Sequence, residues 1–254
     1  MRNLMKNIPN VITCLNLFSG SLACVLAMER NYTGAFVFIV FAAVFDFLDG
    51  FAARLLKAYS PMGKELDSLA DVISFGLAPG LLVFSFLQKT GEISMTGMNI
   101  HFLGFLIPIF AAIRLAKFNI DTRQTNSFLG LPVPANALFW GALIPTLNAV
   151  LWKNEPEVFP ISIYIRKLEV LSANDLLPGI IIFSFVVVFC LLMVSELPMF
   201  SLKFKNYGWR GNELQYSLII ITLLLITFFN IFGISLSILA YILISTFNNA
   251  RKRD

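Results

Sequence analysis

The stretch that decides the fold runs from Asp46 to Asp71 and reads DFLDGFAARLLKAYSPMGKELDSLAD. Its four aspartates, at positions 46, 49, 67 and 71, lie in a chain whose other long segments are apolar. A carboxylate inside a membrane costs about 2.5–3.5 kcal/mol on insertion scales, so acids at such positions indicate a functional site. We therefore interpret the remaining segments as the scaffold that holds these acids.

The composition indicates a membrane protein. Of the 254 residues, 57% are hydrophobic and 13% are charged, and the mean hydropathy is +0.79. Soluble domains carry about 25% charged residues. The long apolar runs predict an all-α, polytopic helical membrane protein that forms a single membrane domain over residues 1–254. The basic residues stand between apolar segments rather than in a stripe, which argues against nucleic-acid binding.

Hydropathy divides the chain into eight predicted spans. They cover about 11–28, 33–56, 66–87, 99–118, 134–152, 176–197, 214–230 and 232–247. The last two spans have no polar gap between them. A single helix over both would be about 50 Å long, which exceeds a hydrocarbon core of about 30 Å. The sequence therefore favours two helices that turn near Asn230 and Gly233. Residues 153–174 form a longer polar segment to which the sequence assigns no role.

The distribution of basic residues predicts the orientation. With eight spans, 14 of the 19 Lys and Arg residues fall on the side that holds both termini. The other five are Arg30, Lys89, Lys153, Arg166 and Lys167. The positive-inside rule then places both termini and the loop within the acidic stretch in the cytoplasm. We expect a multi-pass protein of the cell membrane, with its acidic site facing the cytoplasm.

The acidic residues are arranged in two helical stripes. Asp46 and Asp49 share a helix face with Gly50 and Ala53 because their spacings are three, four and seven residues. On the next helix, Gly63, Asp67 and Asp71 are spaced four residues apart. A loop over about residues 57–64 makes these helices neighbours and puts Asp49 and Asp71 at similar depth, about 10–12 Å from the loop. The spacing thus predicts a half-buried carboxylate cluster.

A cation is the natural partner of such a cluster, because neighbouring carboxylates repel one another. Oxygen ligands without nearby His or Cys favour Mg²⁺, Mn²⁺ or Ca²⁺ over zinc, and carboxylate-bridged metals suit phosphoryl transfer. The small residues Gly50, Ala53 and Gly63 leave room for a ligand against the helix backbone, or they serve helix packing alone. Arg54 either pairs with a phosphate or with Asp67, or it is one of the basic residues that flank a span on its cytoplasmic side.

The stretch fits the pattern D-x₂-D-G-x₂-A-R-x₈-G-x₃-D-x₃-D at every position. The matching residues are Asp46, Asp49, Gly50, Ala53, Arg54, Gly63, Asp67 and Asp71. This pattern resembles the signature of the CDP-alcohol phosphotransferase family. The resemblance implies an integral membrane enzyme that transfers a phosphoalcohol unit from a CDP-linked donor to an acceptor hydroxyl and releases CMP. It also implies a homodimer.

The resemblance assigns roles to the matching residues. It implies that the four aspartates at 46, 49, 67 and 71 bind a pair of divalent cations, Mg²⁺ or Mn²⁺, and that Asp71 is also the general base. The nucleotide-binding residues implied in the same way are Asn10, Thr13, Gly50, Ala53, Arg54 and Gly63. Asn10 and Thr13 belong to a Pro-Asn motif at the start of the first span that is similar to the family's first-helix motif.

Further motifs resemble the phosphatidylserine synthase branch of this family. They are RLAKFN at residues 114–119, FLGLPVPA at 128–135, and GKELDSLAD at 63–71 with the VISFG that follows it. The resemblance implies a catalytic core over residues 6–140, with additional transmembrane helices over 141–254. It implies transfer of the phosphatidyl group of CDP-diacylglycerol to the hydroxyl of L-serine.

Serine carries a carboxylate, for which Arg114 is the candidate ligand at the cytoplasmic end of the fourth span. The alternative is an arginine that snorkels to the membrane edge. Two other functions stay open. One is the same reaction with glycerol phosphate, inositol phosphate or choline as the acceptor. The other is cation transport through the acidic cluster, although a transporter would not need the small residues around it.

Overall fold

The computed structural model describes residues 7–89, 94–95, 98–121, 128–152, 176–200, 208–209 and 211–251. The polar segment 153–174 and most of the basic residues near the termini lie outside this part. The helices are α1 Ile8–Met28, α2 Tyr32–Leu55, α3 Pro61–Asp71, α4 Ala78–Lys89, α5 Leu106–Ile120, α6 Val133–Trp152, α7 Leu176–Val194, α8 Glu213–Phe229 and α9 Phe232–Arg251.

Shorter elements join these helices. A π-helical segment, Val72–Leu77, connects α3 to α4, and a 3₁₀ segment, Ile100–Phe105, leads into α5. The strands are β1 Ser94–Met95, β2 Met98–Asn99, β3 Phe128–Leu129 and β4 Pro198–Met199. β1 pairs with β2 and β3 pairs with β4, each antiparallel, so that Phe128 faces Met199 and Leu129 faces Pro198.

The predicted fold class is confirmed. Six helical spans in the described residues are long and apolar enough to cross a membrane. They are Ile8–Met28, Tyr32–Leu55, Pro61–Lys89, Ile100–Ile120, Val133–Val150 and Phe232–Asn249. Two shorter apolar helices, Ile181–Val194 and Glu213–Phe229, occupy the positions of the other two expected spans. The chain is a polytopic helical membrane protein.

The last apolar block forms two helices, as the sequence favours. α8 ends before Asn230, whose φ of 50° lies in the left-handed region. α9 then returns along α8, and Gly233 lies against the backbone of Leu225 and Ile226, where a Cβ atom would overlap both. The turn therefore depends on glycine at position 233, because no side chain fits there.

The third span begins earlier than the sequence predicts. The polar connection was expected to continue to residue 64, but α3 starts at Pro61. Ser60 caps this helix because its hydroxyl accepts a hydrogen bond of 2.9 Å from the Gly63 amide, and proline suits the first helical position. The connection between α2 and α3 therefore covers only residues 56–60.

This early start shifts the depth of the acids by about one helical turn. Asp49 lies six residues before the end of α2 at Leu55, and Asp67 lies six residues after Pro61. Both are therefore about 9 Å from the connection. The expected match in depth between Asp49 and Asp71 is wrong, since Asp67 is the acid that stands level with Asp49.

Close packing between α1 and the π-helical segment fixes the position of α3. Gly20 has no side chain where a Cβ atom would lie 2.6 Å from the Cα of Ser74. The Ser74 hydroxyl donates a hydrogen bond of 3.1 Å to the Asn16 carbonyl oxygen. Behind this contact the core includes Phe75, Phe86 and Trp140, all fully buried. This packing against α1 holds the part of α3 that carries Asp67 and Asp71 in place.

Candidate active site

Three of the four aspartates converge where α2 and α3 meet. One carboxylate oxygen from each of Asp46, Asp49 and Asp67 lies within 4.8 Å of the others. Asp49 is 6% exposed, and the other two are half-buried. The helical spacing puts two acids on one face of α2, and the early start of α3 brings the third to their level.

The donor set of this carboxylate group fits a hard cation. It offers only oxygen atoms, which Mg²⁺, Mn²⁺ and Ca²⁺ prefer. Asp67 Oδ1 is buried and has no hydrogen-bond partner among the described residues. A buried carboxylate oxygen without a donor is costly unless something else neutralises it. A divalent cation at this position would satisfy that oxygen and reduce the repulsion among the three acids.

Helix α1 supports the acids from the side. The Thr13 hydroxyl lies 2.6 Å from Asp49 Oδ2 and 3.0 Å from the Pro9 carbonyl oxygen. One turn further on, Asn16 Nδ2 donates to Asp71 Oδ1 at 3.2 Å. Asn16 is fully buried and was missed by the sequence reasoning. Its spacing of three residues from Thr13, on the same helix face, was the signal that could have found it.

Asp71 lies outside the group of three. It is the last residue of α3, it is buried, and the π-helical segment begins directly after it. It follows Asp67 by four residues, so its carboxyl group lies about one helical turn further along the same face of α3. The assignment of Asp71 as a fourth metal ligand stays a prediction, and its separate position suits a role beside the metal group.

A cavity of about 490 Å³ opens beside the carboxylate group. Five of the six predicted nucleotide-binding residues line it, together with two of the acids. The lining residues are Pro9, Asn10, Thr13, Asp49, Gly50, Ala53, Ala58, Tyr59, Ser60, Pro61, Gly63, Lys64 and Asp67. Tyr59, Ser60 and Lys64 were missed by the sequence reasoning, because they belong to the expected loop and carry no distinctive spacing. We call this space the α2–α3 cavity.

The sixth predicted residue, Arg54, does not line the α2–α3 cavity. Its side chain is exposed, and its Nε donates a hydrogen bond of 2.9 Å to the Gly50 carbonyl oxygen. Arg54 therefore borders the site at the end of α2 and contacts the backbone of a residue that does line the cavity. Its assignment as a nucleotide ligand stays a prediction.

The glycines of the signature differ in what they allow. A Cβ atom on Gly63 would lie 2.9 Å from Asn10 Oδ1, so glycine there permits α1 and α3 to approach each other. A Cβ atom on Gly50 would meet only Arg54 Nη2, at 4.0 Å. Helix packing therefore explains Gly63 but does not explain Gly50, whose surroundings leave open space in the cavity.

Arg114 belongs to a second cavity. It lies on α5, is 7% exposed, and lines a space of about 320 Å³ with Lys117 on the same helix. Helix α5 packs against the π-helical segment that follows Asp71, where a Cβ atom on Gly76 would lie 3.2 Å from the Cβ of Ala111. The structure therefore places Arg114 on this second space rather than on the α2–α3 cavity. Its burial argues against the alternative of an arginine at the membrane edge.

The family model for CDP-alcohol phosphatidyltransferase matches residues 6–186, which is more than half of the chain. The chain belongs to the CDP-alcohol phosphatidyltransferase family. The match extends beyond the expected core of residues 6–140, through α6 and into α7, and it leaves out α8 and α9. It includes all four aspartates and every predicted nucleotide-binding residue.

Several relatives within the CDP-alcohol phosphatidyltransferase family share the name CDP-diacylglycerol–serine O-phosphatidyltransferase. The Bacillus subtilis protein is 37% identical over 151 residues, which cover 58% of this chain and 80% of the relative. The Helicobacter pylori protein is 39% identical over 133 residues, 51% of this chain and 54% of the relative. The Methanocaldococcus jannaschii protein is 31% identical over 196 residues, 77% of this chain and 87% of the relative.

Proposed function

We propose that this protein transfers the phosphatidyl group of CDP-diacylglycerol to the hydroxyl of L-serine, forming phosphatidylserine and releasing CMP. The observation that carries the proposal is the carboxylate group of Asp46, Asp49 and Asp67 on the wall of the α2–α3 cavity. The names of the relatives support serine as the acceptor.

The donor would place its cytidine in the α2–α3 cavity. Gly50 and Ala53 leave space along α2, while Asn10 and Tyr59 offer polar groups at the wall. The volume of about 490 Å³ falls in the range of small-molecule sites. The diacylglycerol tails would stay in the bilayer, where the outer face of α2 is apolar and exposed, with Phe47 among its residues.

The acids would hold a pair of Mg²⁺ or Mn²⁺ ions through Asp46, Asp49 and Asp67, with Asp71 as a further candidate ligand. Bound there, the cations would neutralise the diphosphate and stabilise the leaving CMP. Thr13 orients Asp49, so that its carboxylate points at the shared centre rather than at solvent.

Asp71 would remove the proton from the serine hydroxyl as that oxygen attacks the phosphorus nearer the lipid. A positioned general base contributes about 10²–10⁴-fold to the rate. Asn16 donates to Asp71 Oδ1 and leaves the other carboxylate oxygen for the substrate. Arg114, buried on α5, would bind the serine carboxylate and hold the hydroxyl near this base.

The charge distribution supports a site that faces the cytoplasm. The connection between α2 and α3 carries Lys57, and Lys64 in the first turn of α3 lines the cavity. Basic residues favour the cytoplasmic side of a membrane, where both serine and CMP are soluble. We further propose that the protein resides in the cell membrane as a homodimer.

A radiolabel assay tests the proposal. The purified protein receives CDP-diacylglycerol and Mn²⁺ with serine, glycerol phosphate, inositol phosphate or choline in turn, and both labelled lipid and released CMP are measured. We expect phosphatidylserine and CMP in equal amounts with serine alone. Lipid formed from one of the other three acceptors would identify that molecule, rather than serine, as the acceptor. Cation flux in vesicles without any CMP release would identify a transporter instead.

A further inference from the structure

Side-chain hydrogen bonds join the first turns of α3 to the last turn of α5. Asn119 Nδ2 donates to Ser68 Oγ at 2.8 Å, and Lys64 Nζ donates to the Asn119 carbonyl oxygen at 3.1 Å. We call these three residues the α3–α5 contact. Ser68 and Asn119 are half-buried, line neither cavity and are not among the signature positions. Their bond therefore serves something other than direct ligand binding.

The α3–α5 contact has a backbone part and a side-chain part. The Asn119 carbonyl oxygen has no donor inside α5, because the helix ends at Ile120. Lys64 supplies that donor and places a positive charge at the negative end of the helix dipole. A change of side chain at position 119 would leave this bond in place and remove the bond to Ser68. The two parts can therefore be separated by substitution.

The contact is one end of an antiparallel helix pair. Towards the other end, Gly76 of the π-helical segment packs against α5, where a Cβ atom would lie 3.2 Å from the Cβ of Ala111. Ser68 lies eight residues before Gly76, and Asn119 lies eight residues after Ala111. Equal numbers of residues between two contacts are what neighbouring antiparallel helices require. α3 and the π-helical segment therefore run along α5 from Ala111 to Asn119.

The π-helical segment makes a separate anchor for α3 necessary. Val72–Leu77 interrupts the α-helical pattern directly after Asp71, so the packing of α4 does not by itself determine which face of α3 points at α2. On the side of α1, α3 is held by the bond from Asn16 to Asp71 and by the close approach of Gly63 to Asn10. A helix held along one side alone can rotate about that side, and the α3–α5 contact adds a second line of support.

Asp67 depends on this support more than the other acids do. Asp49 accepts from the Thr13 hydroxyl, and Asp71 accepts from the Asn16 amide. Asp67 Oδ1, by contrast, is buried and has no hydrogen-bond partner in the part of the chain that the structure describes. The direction of this oxygen is therefore determined mainly by the position of the α3 backbone.

Rotation of α3 would move Asp67 out of the carboxylate group. Ser68 is the next residue, about 100° further round the helix, so a bond that fixes Ser68 also fixes the direction of Asp67. The oxygens of the carboxylate group lie within 4.8 Å of one another. Metal–ligand distances are held to about 0.2 Å. A small rotation of one helix is therefore enough to weaken metal binding.

We infer that Asn119 is a positioning residue of the metal site, and that it acts through Ser68 to hold Asp67 within the carboxylate group. The inference rests on the metal site of the proposed function. It adds a residue of α5 that touches neither the metal nor the substrates. Loss of the Asn119 amide should therefore weaken metal binding although every ligand is still present.

Mn²⁺ binding tests the inference without turnover. The EPR signal of free Mn²⁺ is titrated with the purified protein in detergent, without substrates. Asn119→Leu removes the amide, keeps a side chain of similar size and leaves the carbonyl group that accepts from Lys64. We expect the Kd for Mn²⁺ to rise about three- to tenfold, the loss of one neutral hydrogen bond. Ser68→Ala should raise it by the same factor, and Ser68→Thr, which keeps the hydroxyl, should change it little.

A combined variant separates a specific contact from general loosening of the helices. In the Asn119→Leu, Ser68→Ala protein the rise should equal that of either single substitution, because both remove the same bond. Asn148→Ala is the matched control, since Asn148 accepts a hydrogen bond of 2.7 Å from Lys89 at the other end of the span that begins with α3. It should leave the Kd for Mn²⁺ unchanged. Additive effects of the two substitutions, or an equal rise in Asn148→Ala, would overturn the inference.

The remaining outcomes separate the inference from the proposed function. An Asn119→Leu protein with a lower melting temperature and the wild-type Kd for Mn²⁺ would show that the contact only stabilises the fold, and the inference would fail while the proposed function stands. Mn²⁺ binding that Asp67→Asn does not weaken would remove the metal site and the inference with it. A wild-type protein that binds Mn²⁺ through Asp67 but makes no lipid from any acceptor would overturn the proposed function and leave the positioning role of Asn119 standing.

Discussion

The hydroxyl of Thr13 offers the sharpest test of how α1 supports the carboxylate group. It lies 2.6 Å from Asp49 Oδ2, and both residues are buried. Thr13→Val removes the hydroxyl and keeps the shape of the side chain. Asp49 then loses its donor from α1 and is free to rotate away from the other two acids.

The size of the effect follows from the kind of hydrogen bond. A hydrogen bond to a charged group is worth about 1.5–3 kcal/mol, which corresponds to about 10–150-fold in an equilibrium constant. Partners that orient a metal ligand change metal affinity or activity by about 10–100-fold. We therefore expect Thr13→Val to raise the half-saturating Mn²⁺ concentration at least tenfold, whereas Thr13→Ser should change it little.

The assay is a Mn²⁺ titration of CMP release at saturating CDP-diacylglycerol and serine. Thr146→Val is the matched control. Thr146 is also buried, and its hydroxyl oxygen lies 2.8 Å from the carbonyl oxygen four residues earlier, much as the Thr13 hydroxyl oxygen lies 3.0 Å from that of Pro9. It lies on α6 and contributes to neither cavity. Melting temperatures of both variants separate a loss of stability from a loss of metal affinity.

Two results would refute the reasoning. The first is a Thr13→Val protein with the Mn²⁺ dependence of the wild type, which would mean that Asp49 needs no support from α1. The second is an equal shift in Thr146→Val, which would attribute the effect to the lost backbone contact of a buried threonine rather than to the carboxylate.

Three further predictions concern the same site. Gly50→Ala should keep or raise the melting temperature, because a Cβ atom there meets only Arg54 Nη2 at 4.0 Å and alanine favours a helix by about 1 kcal/mol over glycine. The same variant should raise the KM for CDP-diacylglycerol several-fold, because the added methyl group occupies space in the cavity. An unchanged KM would show that Gly50 is not part of the nucleotide site. Asp71→Asn should lower kcat by about 10²–10⁴-fold, and full turnover would end its role as base. The half-saturating Mn²⁺ concentration measured with it tests the second role, because it rises only if Asp71 is also a metal ligand. A membrane-impermeant maleimide should label Glu29→Cys but not Lys57→Cys in intact cells, and the reverse labelling would invert the predicted orientation.

The class of the fold was predictable because it depends on local properties. Apolar runs long enough to cross a bilayer must form helices, since lipid offers no hydrogen-bond partners to the backbone. The break between α8 and α9 followed from length alone. The start of α3 was not predicted, because the cap by Ser60 and the proline at position 61 outweigh the polar character of the residues that follow.

The sequence indicated most of the residues that line the candidate site, but not how they are arranged in space. Helical spacing placed Asp46 and Asp49 on one face, and the structure brings Asp67 to them. The separate position of Asp71 depends on the start of α3 and on the π-helical segment after it. That segment lies where Gly20 lets Ser74 approach α1, which no local pattern in the sequence indicates.

The sequence by itself determined the helices, the helix face on which each acid lies and the all-oxygen character of the site. These features depend on residue type and on spacing along one helix. Only the tertiary structure decided which three acids converge, that Asn16 reaches Asp71, and that Arg114 lines a second cavity. The physical reason is that these contacts join residues on different helices. Their distances depend on how α1 and α5 pack against α3.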